Sequence, residues 1–272
     1  MADPQTVHAV LDDLRTEGDE LDALVAGFGP EEWQLPTPAE HWSVAHQVAH
    51  LTWTDDRALL SVTDPDGYAR ELAGAPAHLL ANLTAYVDAG ARQGAELPPG
   101  ELLERWRTSR TRLHGALAGS RPGARFPWYG TRMSAASTAT GRIMETWAHG
   151  EDIADAAGVR RTPTARLRHV ARIAVRARDF AFAAHGRPVP ADPFRVELTA
   201  PDGSLWTYGP PDAQQRVTGP ALDFCLLAVQ RRHRDDVAVR AEGPDADVWL
   251  SVAQAFAGPP GTGRPPGRGA TA

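Results

Sequence analysis

Glu145 and His149 lie four residues apart in the stretch GRIMETWAHGEDIADAAG (residues 141–158). On a helix that spacing stacks two side chains over neighbouring turns. A carboxylate oxygen and an imidazole nitrogen are both ligands for Zn²⁺, at about 2.0–2.2 Å. Two ligands from one helix leave a third to be supplied from elsewhere. The segment VAHQVAHLTWTDDRALLSV offers His46 and His50, again at i and i+4 and flanked by Val48, Ala49 and Leu51. Facing helices of a bundle commonly build metal sites in their interior. Spacing alone leaves both His46 and His50 open as the third ligand. It also leaves the competing reading, a solvated Glu–His pair beside packed core histidines.

The elements that must hold these residues follow from hydrophobic period and punctuation. Val7, Val10, Leu11, Leu14, Leu21, Leu24 and Val25 predict a first helix over about 4–27, stopped by Gly27 and Gly29-Pro30. Ser43 is an N-cap candidate for a helix to about residue 62. Asp64-Pro65-Asp66-Gly67 has turn chemistry, with a third helix predicted over 67–91. A fourth is predicted over 100–118, and a loop rich in aromatic residues over 119–133. Ser134 opens a fifth helix closed by Gly158, and Thr162-Pro163 opens a sixth to about 184. From about residue 187 the pattern changes. FRVELTAPDGSLWTYGP alternates around Asp202-Gly203, a hairpin signal. A helix GPALDFCLLAVQRRHR, a short strand VAVRA and a helix over 245–257 follow. The expected fold is therefore mainly α. A helical bundle fills residues 1–186, a small α+β domain 187–257, and a disordered tail 258–272.

Composition bounds the function. The 272 residues suffice for a sizeable core, with 42% hydrophobic and 23% charged residues. A net charge of −6 argues against a nucleic-acid partner. All 28 basic residues are arginine. The single cysteine, Cys225, excludes an intrachain disulfide and fits a cytoplasmic protein. No signal peptide is expected, and no apolar run approaches the roughly 20 residues that span a bilayer.

HWSVAHQVAHL resembles the Trp-Ser/Thr…His-Leu opening motif of the DinB-like four-helix proteins. ETWAHGEDIADAAG resembles the Glu-x-x-x-His-x-x-Asp segment of their actinobacterial branch, the metal-binding domain of mycothiol-dependent maleylpyruvate isomerase. GPALDFCLLAVQRRHR and AQAFAGPPGTGR suggest a narrower group of uncharacterised actinobacterial metal-binding proteins. The resemblance implies a DinB-like four-helix bundle and His50, Glu145 and His149 as metal ligands. Zn²⁺ is the default metal. It also implies mycothiol as thiol cosubstrate, because three protein ligands leave one coordination position open and a zinc-bound thiol is held as thiolate. Thiolate attack on an activated double bond serves either a thiol-dependent isomerase or an S-transferase acting on a small electrophile. The alternative is a non-catalytic metal-binding or small-ligand carrier protein.

Cys225, in an apolar run, is expected to pack rather than react. Asp152, Asp55 and Asp56 are candidates for orienting the imidazoles. The isomerase uses an arginine of its C-terminal domain for acidic substrate groups, and the resemblance places Arg231 in that catalytic role. Against this, Arg231, Arg232 and Arg234 would also suit the last turn of a helix, where cations favour the dipole. Trp128 and Tyr129 would line the mouth of the site or cover the bundle core.

Overall fold

The computed structural model describes residues 4–75, 83–256, 258–261 and 263–267. The chain folds as two compact units, Met1–Arg160 and Arg161–Ala272.

In the first unit, α1 (Pro4–Val25), α3 (Val44–Thr63), α6 (Pro99–Ala118) and α7 (Ala135–Ala157) form the bundle. Short α2 (Pro30–Trp33), α4 (Pro65–Gly74) and α5 (Leu83–Ala95) accompany them. α3 packs on α5, α6 and α7, and α1 packs on α7. Two apolar clusters fill the interior. One gathers Leu21, Val25, Trp33, Val48, Leu51, Leu102, Trp106 and Ile153, and the other Leu11, Ala58, Leu113, Leu117, Ala139 and Ile143. The α5–α3 contact depends on small residues. A Cβ on Gly90 would sit 2.5 Å from the Trp53 indole, and one on Gly94 would sit 2.9 Å from the Ala49 Cβ.

The sequence signals for α7 hold. The Ser134 hydroxyl accepts from the Ser137 amide, and Gly158 ends the helix with φ +66°. Other expectations change. Asp64-Pro65-Asp66-Gly67 is the start of α4, with the Asp64 carboxylate accepting from the Gly67 amide at 2.8 Å. The predicted third helix is represented by α4 and α5, and its residues 76–82 lie outside the described residues. The predicted loop 119–133 holds a hairpin, β1 (Arg125–Trp128) and β2 (Thr131–Ser134). Its two turn residues, Tyr129 and Gly130, both have positive φ (36° and 84°), as a type I′ turn requires. Tyr129 is costly there, and its ring is packed against Trp128 at 5.0 Å and Tyr68 at 6.1 Å.

The second unit takes in the helices after Gly158, so the change in composition at 187 is not where the compact units divide. The predicted sixth helix is two, α8 (Leu167–Arg176) and α9 (Arg178–Ala184). The sheet has the order β4-β3-β5-β6. Antiparallel β3 (Phe194–Thr199) and β4 (Leu205–Tyr208) form the hairpin expected around Asp202-Gly203. β5 (Gln215–Pro220), absent from the sequence reading, runs parallel to β3, and β6 (Arg240–Glu242) runs antiparallel to β5. α10 (Ala221–Ala228) packs on α8, and α11 (Pro244–Val252) on α9, β5 and β6. Trp249 meets Phe194 and Phe224 edge-on in the core at 5.6 and 5.7 Å. In the tail expected to be disordered, the described Gly267 amide donates to the Asp236 carboxylate, and Gly258 accepts from Gln254. Residues 262 and 268–272 of that tail lie outside the described residues.

Candidate metal centre

His50 lies on α3 two turns after the Ser43 cap, among the buried apolar residues Val48, Ala49 and Leu51. Glu145 and His149 lie on α7, which also supplies Ile143 and Ile153 to the core. Packing α3 on α7 brings the three side chains together. His50 Nε2 is 3.2 Å from Glu145 Oε2, and His149 Nε2 is 3.3 Å from the same oxygen. One ligand atom from each residue falls within 4.8 Å of the others, and the described residues contain no other such group. Two ligands about 2.0–2.1 Å from a tetrahedral ion stand roughly 3.3 Å apart. The observed separations suit a shared cation. The donor set, two imidazole nitrogens and one carboxylate oxygen, suits Zn²⁺.

Burial alone would raise the Glu145 pKa. The His149 and His50 imidazoles outweigh it and hold the carboxyl well below its usual range, so it is ionised at neutral pH. His50 and His149 are mostly buried, with 8% and 12% of their side chains exposed, while Glu145 keeps 26%. Solvent therefore reaches the centre on the carboxylate side. Trp42 forms one wall, its indole stacked 5.9 Å from the His149 ring at 20° and 5.3 Å from His50.

The structure separates His46 from His50. His46 Nδ1 is turned to its own helix start, 2.9 Å from Ser43 Oγ and accepting from the Ser43 amide at 3.3 Å. It completes a capping box and is not in the ligand cluster. Asp55 and Asp56 are committed elsewhere. Asp55 pairs with buried Arg142 at 2.7 Å, and Asp56 accepts from Ser109 and Arg105. Asp152 is buried on α7. The neighbour of His149 that sequence reasoning missed is Gln47. Its Oε1 lies 2.5 Å from His149 Nδ1, and its Nε2 donates to Thr37 Oγ1 at 2.8 Å. Gln47 carries no charge and belongs to no recognised motif. Its only signal was a polar residue one turn before His50 on the buried face.

Arg231 belongs to the second unit. α10 ends at Ala228, so Arg231, Arg232 and Arg234 lie beyond the helix and not in its last turn. Gln230, at φ +59°, turns the chain, and the Arg231 amide returns to Leu226 O at 2.8 Å, a Schellman-type stop. Arg231 Nη1 donates to Val229 O. Cys225 is fully buried, and burial pushes its thiol far above the usual value. Trp128 and Tyr129 sit in the hairpin, Trp128 stacked on Tyr68 and Tyr129 edge-on to it.

Residues 14–154 match the family described as the mycothiol maleylpyruvate isomerase N-terminal domain. The chain belongs to that family. All three ligand candidates fall inside the matched span. Two solved structures are similar to this chain in fold. The crystal structure of the mycothiol-dependent maleylpyruvate isomerase aligns with a TM-score of 0.58 and 18% identity, over 90% of this chain and 98% of the other. A histidine-to-alanine variant of that isomerase aligns at 0.59 and 17%, with the same coverage. At that identity the match establishes the fold. Two uncharacterized proteins of Mycobacterium tuberculosis, MT0041 and Rv0036c, are each 52% identical over 264 residues, 97% of this chain and all of theirs. Residues 190–242 match a second family, described as wyosine base formation. No helix among the described residues is long and apolar enough to cross a membrane.

Proposed function

We propose that this chain is a divalent-metal enzyme that uses the thiol of mycothiol on a small electrophile, as an isomerase or an S-transferase. The observation that carries the proposal is the meeting of His50 Nε2, Glu145 Oε2 and His149 Nε2 from two helices, with ligand atoms within 4.8 Å of one another. Family membership and the fold match to a mycothiol-dependent isomerase support the choice of thiol. A divalent cation bound there, Zn²⁺ by default, supplies the Lewis acidity that keeps a thiol ionised at neutral pH.

The protein's own groups set the conditions. Three protein ligands leave one position for an incoming sulfur. Glu145, ionised between two imidazoles, offsets part of the cation's charge. Trp42 shields the imidazole faces from water, and the exposed edge of Glu145 marks the way in. Cys225 is buried and un-ionised, so the reacting thiol must come from outside the chain. For the substrate we assign Arg231 to an acidic group, because a guanidinium fork matches a carboxylate.

Co²⁺-substituted, untagged protein tests this. Adding mycothiol should produce a thiolate-to-cobalt charge-transfer band, absent in Glu145→Gln. Co²⁺ protein that shows no such band with any thiol rules the enzyme reading out.

A further inference from the structure

The hydrogen bonds behind His149 have only one consistent direction. Thr37 Oγ1 has a single proton, which it gives to the Trp42 carbonyl at 2.9 Å. Toward Gln47, 2.8 Å away, Thr37 Oγ1 can therefore only accept, so the group facing it is the Gln47 NH₂. That leaves the Gln47 oxygen facing His149 Nδ1, and an amide oxygen can only accept. The proton must then sit on Nδ1. The other ring nitrogen, Nε2, is the one turned toward Glu145 and His50.

Resting on the metal reading above, we propose that Gln47 is a positioning residue. It locks His149 in the Nδ1–H tautomer, so that Nε2 presents its lone pair to the cation. Gln47 is fully buried, so no water competes for its amide. The loop before α3 exists in part to anchor it. The Thr37 amide and hydroxyl both bond to Trp42 O, and Val44 N bonds back to Leu35 O. Trp42 thus acts twice on one ligand. Its carbonyl ends the relay that fixes the proton, and its indole lies flat on the ring. His50 has no equivalent device: its Nδ1 is buried with no hydrogen-bond partner among the described residues. The two imidazoles are therefore unequal, His149 held by a directed relay and His50 by packing against Trp42 and His149.

The test compares wild type, Gln47→Leu, Gln47→Glu and Thr37→Val. Zinc affinity is read by competition with a chromophoric chelator. The exchange-protected imidazole Nδ1–H proton is read by NMR on zinc-loaded protein, and thermal melting of zinc-free protein checks the fold. Loss of an outer hydrogen bond to a ligating histidine typically lowers metal affinity 10–100-fold. Gln47→Leu should lose about that much, along with the protected resonance. Thr37→Val, which frees the amide to rotate without touching His149, should lose severalfold. Gln47→Glu keeps an acceptor against Nδ1 and should keep both affinity and resonance. The inference is overturned if Gln47→Leu binds zinc within about twofold of wild type, if its Nδ1–H stays protected, or if Gln47→Glu falls as far as Gln47→Leu. Wild-type protein that takes up no zinc sinks the metal reading and this inference together. Wild type that binds while Gln47→Leu binds equally sinks this inference alone.

Discussion

Replacing Asp55 by leucine strands Arg142. The pair ties α3 to α7 about one turn from the candidate ligands, with Nε and Oδ1 2.7 Å apart and only 5% and 6% of the side chains exposed. Arg142 Nη2 is already buried without a hydrogen-bond partner among the described residues, so the guanidinium has little to fall back on. Arginine cannot shed its proton, and removing one partner of a buried ion pair costs about 3–5 kcal/mol. Removing Arg142 is different. Burial raises the Asp55 pKa and outweighs the opposing pull of Arg142 even in the intact pair. A lone Asp55 therefore escapes by taking up a proton. Arg142→Met should cost about 1–3 kcal/mol, the range for a buried polar group left unsatisfied. The double variant Asp55→Leu/Arg142→Met should be more stable than Asp55→Leu alone, since no stranded charge remains. For a unit of this size, 3–5 kcal/mol lowers the melting temperature by roughly 10 °C. The assay is thermal unfolding of zinc-free protein at pH 7 followed by circular dichroism. The reasoning fails if Asp55→Leu melts within about 2 °C of wild type, or if Arg142→Met falls as far as Asp55→Leu.

Three further outcomes follow from the geometry. Hydrogen bonding to Arg107 holds Asp22 below the usual carboxylate value, with help from Arg110 and against burial. A depressed pKa stabilises the fold above the unfolded value of about 3.9 and loses that contribution as pH falls through the folded value. Asp22→Asn should therefore flatten the acid limb of a stability-against-pH curve below about pH 4, as read by urea unfolding. Gly90→Val places a branched side chain against the Trp53 indole, 2.5 Å from the built Cβ. Such overpacking costs about 1–3 kcal/mol, measurable as a lower urea midpoint. Cys225, with no exposed surface and a thiol pKa pushed far up by burial, should resist a disulfide reagent at pH 8 in the native protein and react fully in denaturant.

The long helices were legible because their apolar spacing and their caps agree, as at Ser134 and Gly158 of α7. The choice of His50 over His46 as a candidate ligand rests on the family pattern. His46 and His50 share one helix face, and what tells them apart is that His46 spends Nδ1 on Ser43. The β1–β2 hairpin escaped notice because its turn is Tyr-Gly, and the Tyr129 backbone is supported by packing that joins residues about 60 positions apart. β5 escaped because QRVTGP carries a single large apolar side chain, and its pairing with β3 spans a hairpin. Gln47 could not be read locally: a neutral amide, it gains its partners only when Thr37 and His149 arrive from 10 and 102 residues away.

The most direct test of the metal centre is a calorimetric titration of Zn²⁺ into untagged, chelator-treated protein. One ion per chain should bind to wild type, and His50→Ala, Glu145→Gln and His149→Ala should each abolish or severely weaken the uptake while the helical circular dichroism stays unchanged. Undiminished binding in all three variants, or none in wild type, would contradict it.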